Sequence, residues 1–297
     1  MCCDLAPRMI CAHCWPPTWS AASVLFRKPT SNPNSGHPFH GSINTSSHFC
    51  QSPTMKLLGN GHVPTGAELQ AQAREIFRLM QAGGVGIVPF DVSYAIFGHT
   101  ARAVERIYEI KNRSNAKPNG VLGTWDTFSE LIEADALDRD LVKCIILDHN
   151  LPLSIVGPYR ADHDFLRTVE FGALRRSTKG NTMDLLLNAG DLHNALSRIA
   201  FEAGVPLMGS SANRSLTGNK FRLQDIEQEV LAQVDINVDH GQCKYANPWL
   251  VGSTIIEMGT RRVLRFGCCY EEIQAILKRE FKLELPDRPT SGPMSLV

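Results

Sequence analysis

From Thr65 onward, apolar residues recur with two distinct spacings, and each spacing predicts an element. Thr65-x-x-Glu68 has the form of a capping box, and Leu69, Ile76, Phe77 and Met80 then follow on one helical stripe that Gly83-Gly84 closes. Residues 85–89 form a short apolar run bounded by turn residues, which predicts a buried strand. Thr100 caps a second helix with Val104, Ile107 and Tyr108 on one face, and this helix runs into Lys111-Asn112-Arg113. Strands are predicted at 121–122, at 154–156 (stopped by Gly157-Pro158), at 185–187 and at 234–238. Helices are predicted at 127–133, 191–203, 223–233 and 271–281. Residues 253–258 and 262–264 read as paired strands around the Gly259-Thr260 turn. Strands and helices mix without strict βαβ alternation, so the expected fold is an α/β or α+β domain with a mixed sheet.

Composition divides the chain. Of 30 acidic and 30 basic residues in 297, residues 1–54 hold only Asp4, Arg8, Arg27 and Lys28, leaving 29 acids and 27 bases beyond. Zero net charge argues against binding nucleic acid by bulk positive charge, but leaves room for a local cationic site. Five of the nine cysteines (Cys2, Cys3, Cys11, Cys14, Cys50) fall in this sparse segment. Cys11-Ala-His13-Cys14 has zinc-ligand spacing but no second pair. An acid-poor, Ser-rich segment also suits a mitochondrial presequence, against which Pro16-Pro17, Pro29 and Pro33 count. The favoured reading is a disordered or leader extension over 1–54, with Met55 as an alternative start. Residues 9–26 lack charge but contain Pro16-Pro17 and polar residues, a poor membrane span. The remaining cysteines sit in apolar context and read as reduced and buried, so the expected location is the cytoplasm. The tail from Pro286 is expected to be loose.

The phosphate loop, dinucleotide fingerprint, zinc-protease and hydrolase-elbow motifs are all missing. Three clusters remain. Lys111, Arg113 and Lys117 place three cations at a helix end and in the loop after it. That is a solvated helix terminus on one reading and a triphosphate site on the other. Gly209-Ser210-Ser211-Ala212-Asn213 after an apolar strand is either a Ser/Asn turn or a backbone that a nucleotide can approach. Ser253-Thr254 with Arg265 is a plain hairpin or an extension of the same pocket.

Taken in order, these motifs resemble the YrdC/Sua5 family, the threonylcarbamoyl-AMP synthases. The family's Pro-Thr-Asp-Thr-x-Tyr-Gly-Leu appears as Pro89-Phe90-Asp91-Val92-Ser93-Tyr94-Ala95-Ile96. Its Lys-x-Arg with a following Lys-Pro appears as Lys111-Asn112-Arg113 and Lys117-Pro118. Its Ser-Ala-Asn-x-Ser is Ser211-Ala212-Asn213-Arg214-Ser215, and its Leu-Arg-x-Gly is Leu264-Arg265-Phe266-Gly267. The resemblance spans roughly residues 65–280, without the added C-terminal domain of the longer Sua5 branch. It implies a single α/β (α+β) domain with a twisted mixed sheet flanked by helices and a concave, positively charged groove, in which ATP, bicarbonate and L-threonine give threonylcarbamoyl-AMP for modification of tRNA adenosine 37, with Mg2+ accompanying the nucleotide. It implies Lys111 and Arg113 as catalytic residues. Lys111, Arg113, Lys117, Ser211, Asn213 and Arg265 would bind ATP, and Tyr94 and Asp91 the amino acid. No protein-held metal site is assigned. Partners would be tRNA or double-stranded RNA, or a tRNA-modifying transferase complex. Phe90 and Val92 stand where the family has hydroxyls, and Leu186 where it has an Arg; Arg175, Arg176 or Lys179 could replace that cation. These departures give two alternatives: an enzyme forming a carbamoyl- or acyl-adenylate from another amino acid or amine, and a non-catalytic nucleotide- or RNA-binding protein.

Overall fold

The computed structural model of the chain describes residues 55–114, 117–290 and 294. The zinc, presequence and extension readings of residues 1–54 lie outside the described residues. One large mixed sheet organises the rest. Its strands are β1 (Lys56–Gly59), β2 (Gly86–Phe90), β3 (Ser93–Gly98), β4 (Gly120–Gly123), β5 (Leu153–Pro158), β6 (Thr178–Lys179), β7 (Thr182–Leu187), β8 (Met208–Ser211), β9 (Ile236–Asp239), β10 (Ile255–Glu257) and β11 (Val263–Arg265). They lie in the order β1-β9-β2-β3-β8-β4-β7-β5-β10-β11, with β6 paired to β7. Parallel pairs (β1/β9, β2/β9, β4/β7, β5/β10) combine with antiparallel ones, as expected of a mixed sheet.

Successive strand residues point to opposite faces, and both faces are covered. Val88, Phe97 and Leu122 pack with Leu69, Ile76 and Met80 of α1 (Gly66–Gln81) and Leu196 of α6 (Asp191–Glu202). Ile87 and Ile96 meet Ile107 of α2 (Ala101–Lys111) on the other face. Val121 and Leu185 meet Phe128 of α3 (Trp125–Leu131) and Ile273 of α8 (Tyr270–Phe281). Each such buried side chain contributes ~1.5–3 kcal/mol of transfer free energy. Among the described residues, no helix is long and apolar enough to cross a membrane.

Several elements differ from expectation. Thr65 precedes α1, but its side chain makes no capping hydrogen bond, whereas Thr100 does cap α2 by accepting from Ala103 N–H. β5 continues through Gly157-Pro158, pairing them with Met183 and Thr182. A proline is tolerated there because β10 has already ended opposite Val156, so nothing on that side needs an N–H. The helix expected at 223–233 is broken: Leu223–Asp225 is a 3-10 turn, Ile226 and Glu227 are extended, and α7 (Gln228–Leu231) is one turn long. The Glu227 carboxylate faces Thr217 Oγ1 at 3.0 Å and Lys220 Nζ at 3.5 Å, which favours the break over a continuous helix. Strand β1 and α5 (Phe171–Arg176) carry few buried apolar positions and were not anticipated, nor was α4 (Ala136–Lys143), although it buries Asp138, Leu141 and Val142 along one face. The described part of the tail lies against the body. Arg288 donates to Phe266 O (2.6 Å) and Gly267 O (2.7 Å) and stacks 4.3 Å from the Trp249 ring centre.

Candidate functional site

The site is built where α2 ends beside β8. Asn112 adopts a left-handed conformation (φ 47°), and its N–H and that of Arg113 both fold back onto the helix, reaching Tyr108 O. Asn is among the few residues that accept this geometry easily. The turn separates two neighbouring cations. Lys111 stays inside, 1% exposed. Its ammonium donates to Ser211 O, to Asn213 O at 2.6 Å and towards Asn213 Oδ1 at 3.5 Å. Arg113 is thrown outward and donates to Lys117 O (3.1 Å), Pro118 O (2.8 Å) and Ser210 Oγ (3.3 Å), with the Tyr108 ring centre 5.8 Å away. Burial, then the neighbouring Arg113 charge, pushes Lys111 down to about 7.

Four sequence-predicted residues, Lys111, Arg113, Ser211 and Asn213, are therefore brought together through side chains and carbonyls. Lys117 lies exposed in the same loop, and its carbonyl is shared by Arg113 and the Tyr108 hydroxyl. Arg265 approaches from the hairpin. It donates to Ser253 O (2.7 Å) and Ser253 Oγ (2.9 Å), and Ser253 Oγ meets Ser154 Oγ at 2.8 Å. Gly267 permits this crossing, because a Cβ there would lie 2.2 Å from the Ser253 carbonyl carbon.

Asp184 links the two halves and was not anticipated. It stands on β7 two residues before Leu186, so both side chains share a face. Burial pushes its carboxyl up to about 6, and Arg265 and Arg113 pull against that shift. Its Oδ1 is buried without a hydrogen-bond partner among the described residues. The period-two pattern of Thr182, Asp184 and Leu186 was the available signal. Of the three candidate replacement cations, Arg176 shares the Tyr108 ring with Arg113, at 4.4 Å from its centre, and pairs with Glu105 at 2.6 Å, while Arg175 and Lys179 are exposed.

The two residues assigned to the amino acid are placed differently. Tyr94 is fully buried, and its hydroxyl donates to Gly241 O at 2.9 Å while accepting from His240 N–H at 3.3 Å. Asp91 borders a cavity of about 470 Å³ that none of Lys111, Arg113, Ser211, Asn213 and Arg265 lines. Its backbone N–H donates to Ala189 O at 2.8 Å, and Gly190 (φ 106°) lies so close that a Cβ would fall 2.4 Å from Asp91 Oδ1. Burial raises the Asp91 carboxyl, Lys244 lowers it and Asp191 raises it further. Nearer the cation cluster, Ser93 Oγ accepts from Asn219 Nδ2 at 2.9 Å. Asn219 Nδ2 and Arg265 Nη2 both border Gly252.

A family model, described as "Telomere recombination" and covering Sua5, YciO and YrdC, matches residues 78–267. The chain belongs to the Sua5/YciO/YrdC family. A curated protein of Methanocaldococcus jannaschii, named "Putative threonylcarbamoyl-AMP synthase", is 28% identical over 186 residues, 61% of this chain and 78% of that one. Two solved structures share the fold. A hypothetical protein from Streptococcus mutans superposes with a TM-score of 0.63 at 18% identity, covering 78% of this chain and 97% of that one. P. abyssi Sua5 complexed with L-threonine gives 0.60 at 16% identity, with 79% of this chain matched to 63% of that one. The chain therefore spans less than two thirds of that Sua5. The family match agrees with the order of motifs read from the sequence.

Proposed function

We propose that this family member is an ATP-dependent carbamoyl-adenylate synthase of the threonylcarbamoyl-AMP type, acting in the cytoplasm. L-threonine and bicarbonate condense to an N-carboxylate with loss of water. A carboxylate oxygen then attacks the α-phosphorus of ATP, and the bond to pyrophosphate breaks. The product supplies modification of tRNA adenosine 37. The observation that carries this reading is the convergence of Lys111 on Ser211 and Asn213 and of Arg113 on the adjoining Ser210, with Arg265 reaching the same region across Asp184. Such groups neutralise a leaving pyrophosphate by preorganised charge. Arg113 and Arg265 supply the planar forks suited to phosphate, with Lys117 beside them. Ser211 and Asn213 address the nucleotide. Lys111 holds their backbone in place and adds its charge when a phosphate replaces one of the carbonyls. Apart from Asp184 this set is cationic, hydroxyl and amide, which does not make a magnesium cage. The ion accompanying ATP would enter as part of the nucleotide.

A second reading has its own support. Phe90 and Val92 are both core residues, and Phe90 packs edge-on to His193 at 5.1 Å. The hydroxyls that the family places at these positions are therefore replaced by packed apolar groups, and a site without such groups discriminates weakly for a hydroxylated amino acid. The deciding experiment follows pyrophosphate release with ATP, bicarbonate and a panel of amino acids. Release that depends on threonine supports the first reading, and release with another amine the second. Nucleotide or RNA binding without turnover rejects both.

A further inference from the structure

A second polar centre lies away from the groove, where the segment after α4 meets α8. Helix α4 passes directly into a π-helical turn, Cys144–Asp148. His149 N–H donates to Cys144 O at 2.9 Å, spanning five residues. In a regular α-helix, residues five apart point about 140° away from each other. The wider turn instead carries His149 round to the side occupied by Cys144, and such turns are often found at functional sites. From the last turns of α8, Glu280 reaches both: Oε2 accepts from Cys144 Sγ at 3.0 Å, and Oε1 lies 2.8 Å from His149 Nε2. All three ligating atoms lie within 4.8 Å of one another. Cys144 is buried, while His149 and Glu280 keep about a third of their side-chain surface open.

We propose that Cys144, His149 and Glu280 form a zinc-type divalent metal site that fastens the π-helical turn to α8. Thiolate, imidazole and carboxylate are the three donor types that Zn2+ accepts, whereas Mg2+ and Ca2+ require oxygen. Thiolate and carboxylate together balance the charge of the ion, with the imidazole neutral. Three protein ligands leave a fourth tetrahedral position, which faces solvent on the His149 and Glu280 side and takes water. Without metal, burial and the adjacent Glu280 carboxylate push the Cys144 thiol up to about 12, so loading releases its proton to solvent. Arg279 donates to Glu280 Oε1 at 2.7 Å and gives way as Oε1 or Oε2 turns to the ion.

The N-terminal cysteines are a competing ligand set, so the test uses the full chain with Cys2, Cys3, Cys11, Cys14 and Cys50 changed to Ser. After chelator treatment, this protein is titrated with Co2+ and then with Zn2+. The expected result is a thiolate-to-cobalt charge-transfer band that saturates with a single ion per chain and is displaced by Zn2+, with a rise in Tm. Cys144→Ser abolishes the band. His149→Ala and Glu280→Gln are accessible changes that leave the metal-free fold intact. Loss of an outer-shell partner costs about 10–100-fold, so each ligand variant weakens binding by at least ~100-fold. No band, or a band unchanged in Cys144→Ser and His149→Ala, means the three groups are only hydrogen-bonded to one another and overturns the proposal.

Discussion

The Lys111–Arg113–Asp184–Arg265 region and the Asp91 cavity are both polar, but they are held by opposite means. In the first, the cations are already bound to protein oxygen: Lys111 to the carbonyls of Ser211 and Asn213, Arg113 to those of Lys117 and Pro118, Arg265 to Ser253. The two guanidinium charges stand fixed before any anion arrives, and the Lys111 ammonium, pushed down to about 7, is drawn fully into its charged form when one does. In the second, a backbone frame positions a carboxyl beside open space. Asp91 is tied at both backbone groups, to Ala189 O and Tyr245 N–H, while its side chain faces Lys244 and Asp191 across the cavity. The difference teaches that the cluster is a preorganised site, in which removing a charge disturbs structure as well as binding. In the cavity, charge and structure separate.

The largest effect tests the first half of that contrast. Lys111→Met keeps the length of the side chain but leaves the Ser211 and Asn213 carbonyls without their buried donor. Each unpaired group costs about 1–3 kcal/mol. Urea midpoints should fall accordingly, and ATP affinity by calorimetry should drop at least ~100-fold. An unchanged midpoint would mean that Lys111 is held for its charge alone.

Asp184→Asn comes next and carries a pH signature. The folded carboxyl titrates near 6, above its ordinary value of 3.8, so the native state binds more protons between those values. Stability therefore falls as pH rises from about 4 to about 6, by at most about 3 kcal/mol. The Asn variant should lose that slope and be at least as stable as the parent at pH 7. A parent and variant with parallel profiles of Tm against pH would remove Asp184 from its place between the two arginines.

How much of this was legible beforehand follows the range of each interaction. The α2 cations, the Ser-Ala-Asn turn and the hairpin at 253–265 were read correctly as elements, because local periodicity and turn residues carry them. The break at Ile226–Glu227 was missed because the carboxylate of Glu227 answers to Thr217 and Lys220, not to its own helix stripe. Strand β1 pairs with β9 almost at the other end of the domain, and its exposed edge has little apolar pattern. Asp184 sits in an apolar run whose alternation could have flagged it, but only the folded sheet shows which cations flank it. Cys144 and Glu280 are 136 residues apart, so no spacing rule connects them.

The smallest expected change probes the cavity. Asp91→Asn removes a charge that no described residue pairs within salt-bridge distance, while both backbone hydrogen bonds at residue 91 remain. Stability should shift by less than ~1 kcal/mol, the range of a weak ion interaction, and ATP affinity should not change. The KM for the amino acid is the discriminating readout. If it rises with kcat and ATP affinity unchanged, the cavity holds the amino acid's ammonium group by charge. The reactants must then meet across the turn between β2 and β3. If it too is unchanged, the amino acid sits nearer Ser93 and Asn219, within the polar wall that runs on to Arg265. Asn219→Ala should then raise the same KM, because it removes the amide that links Ser93 to that wall.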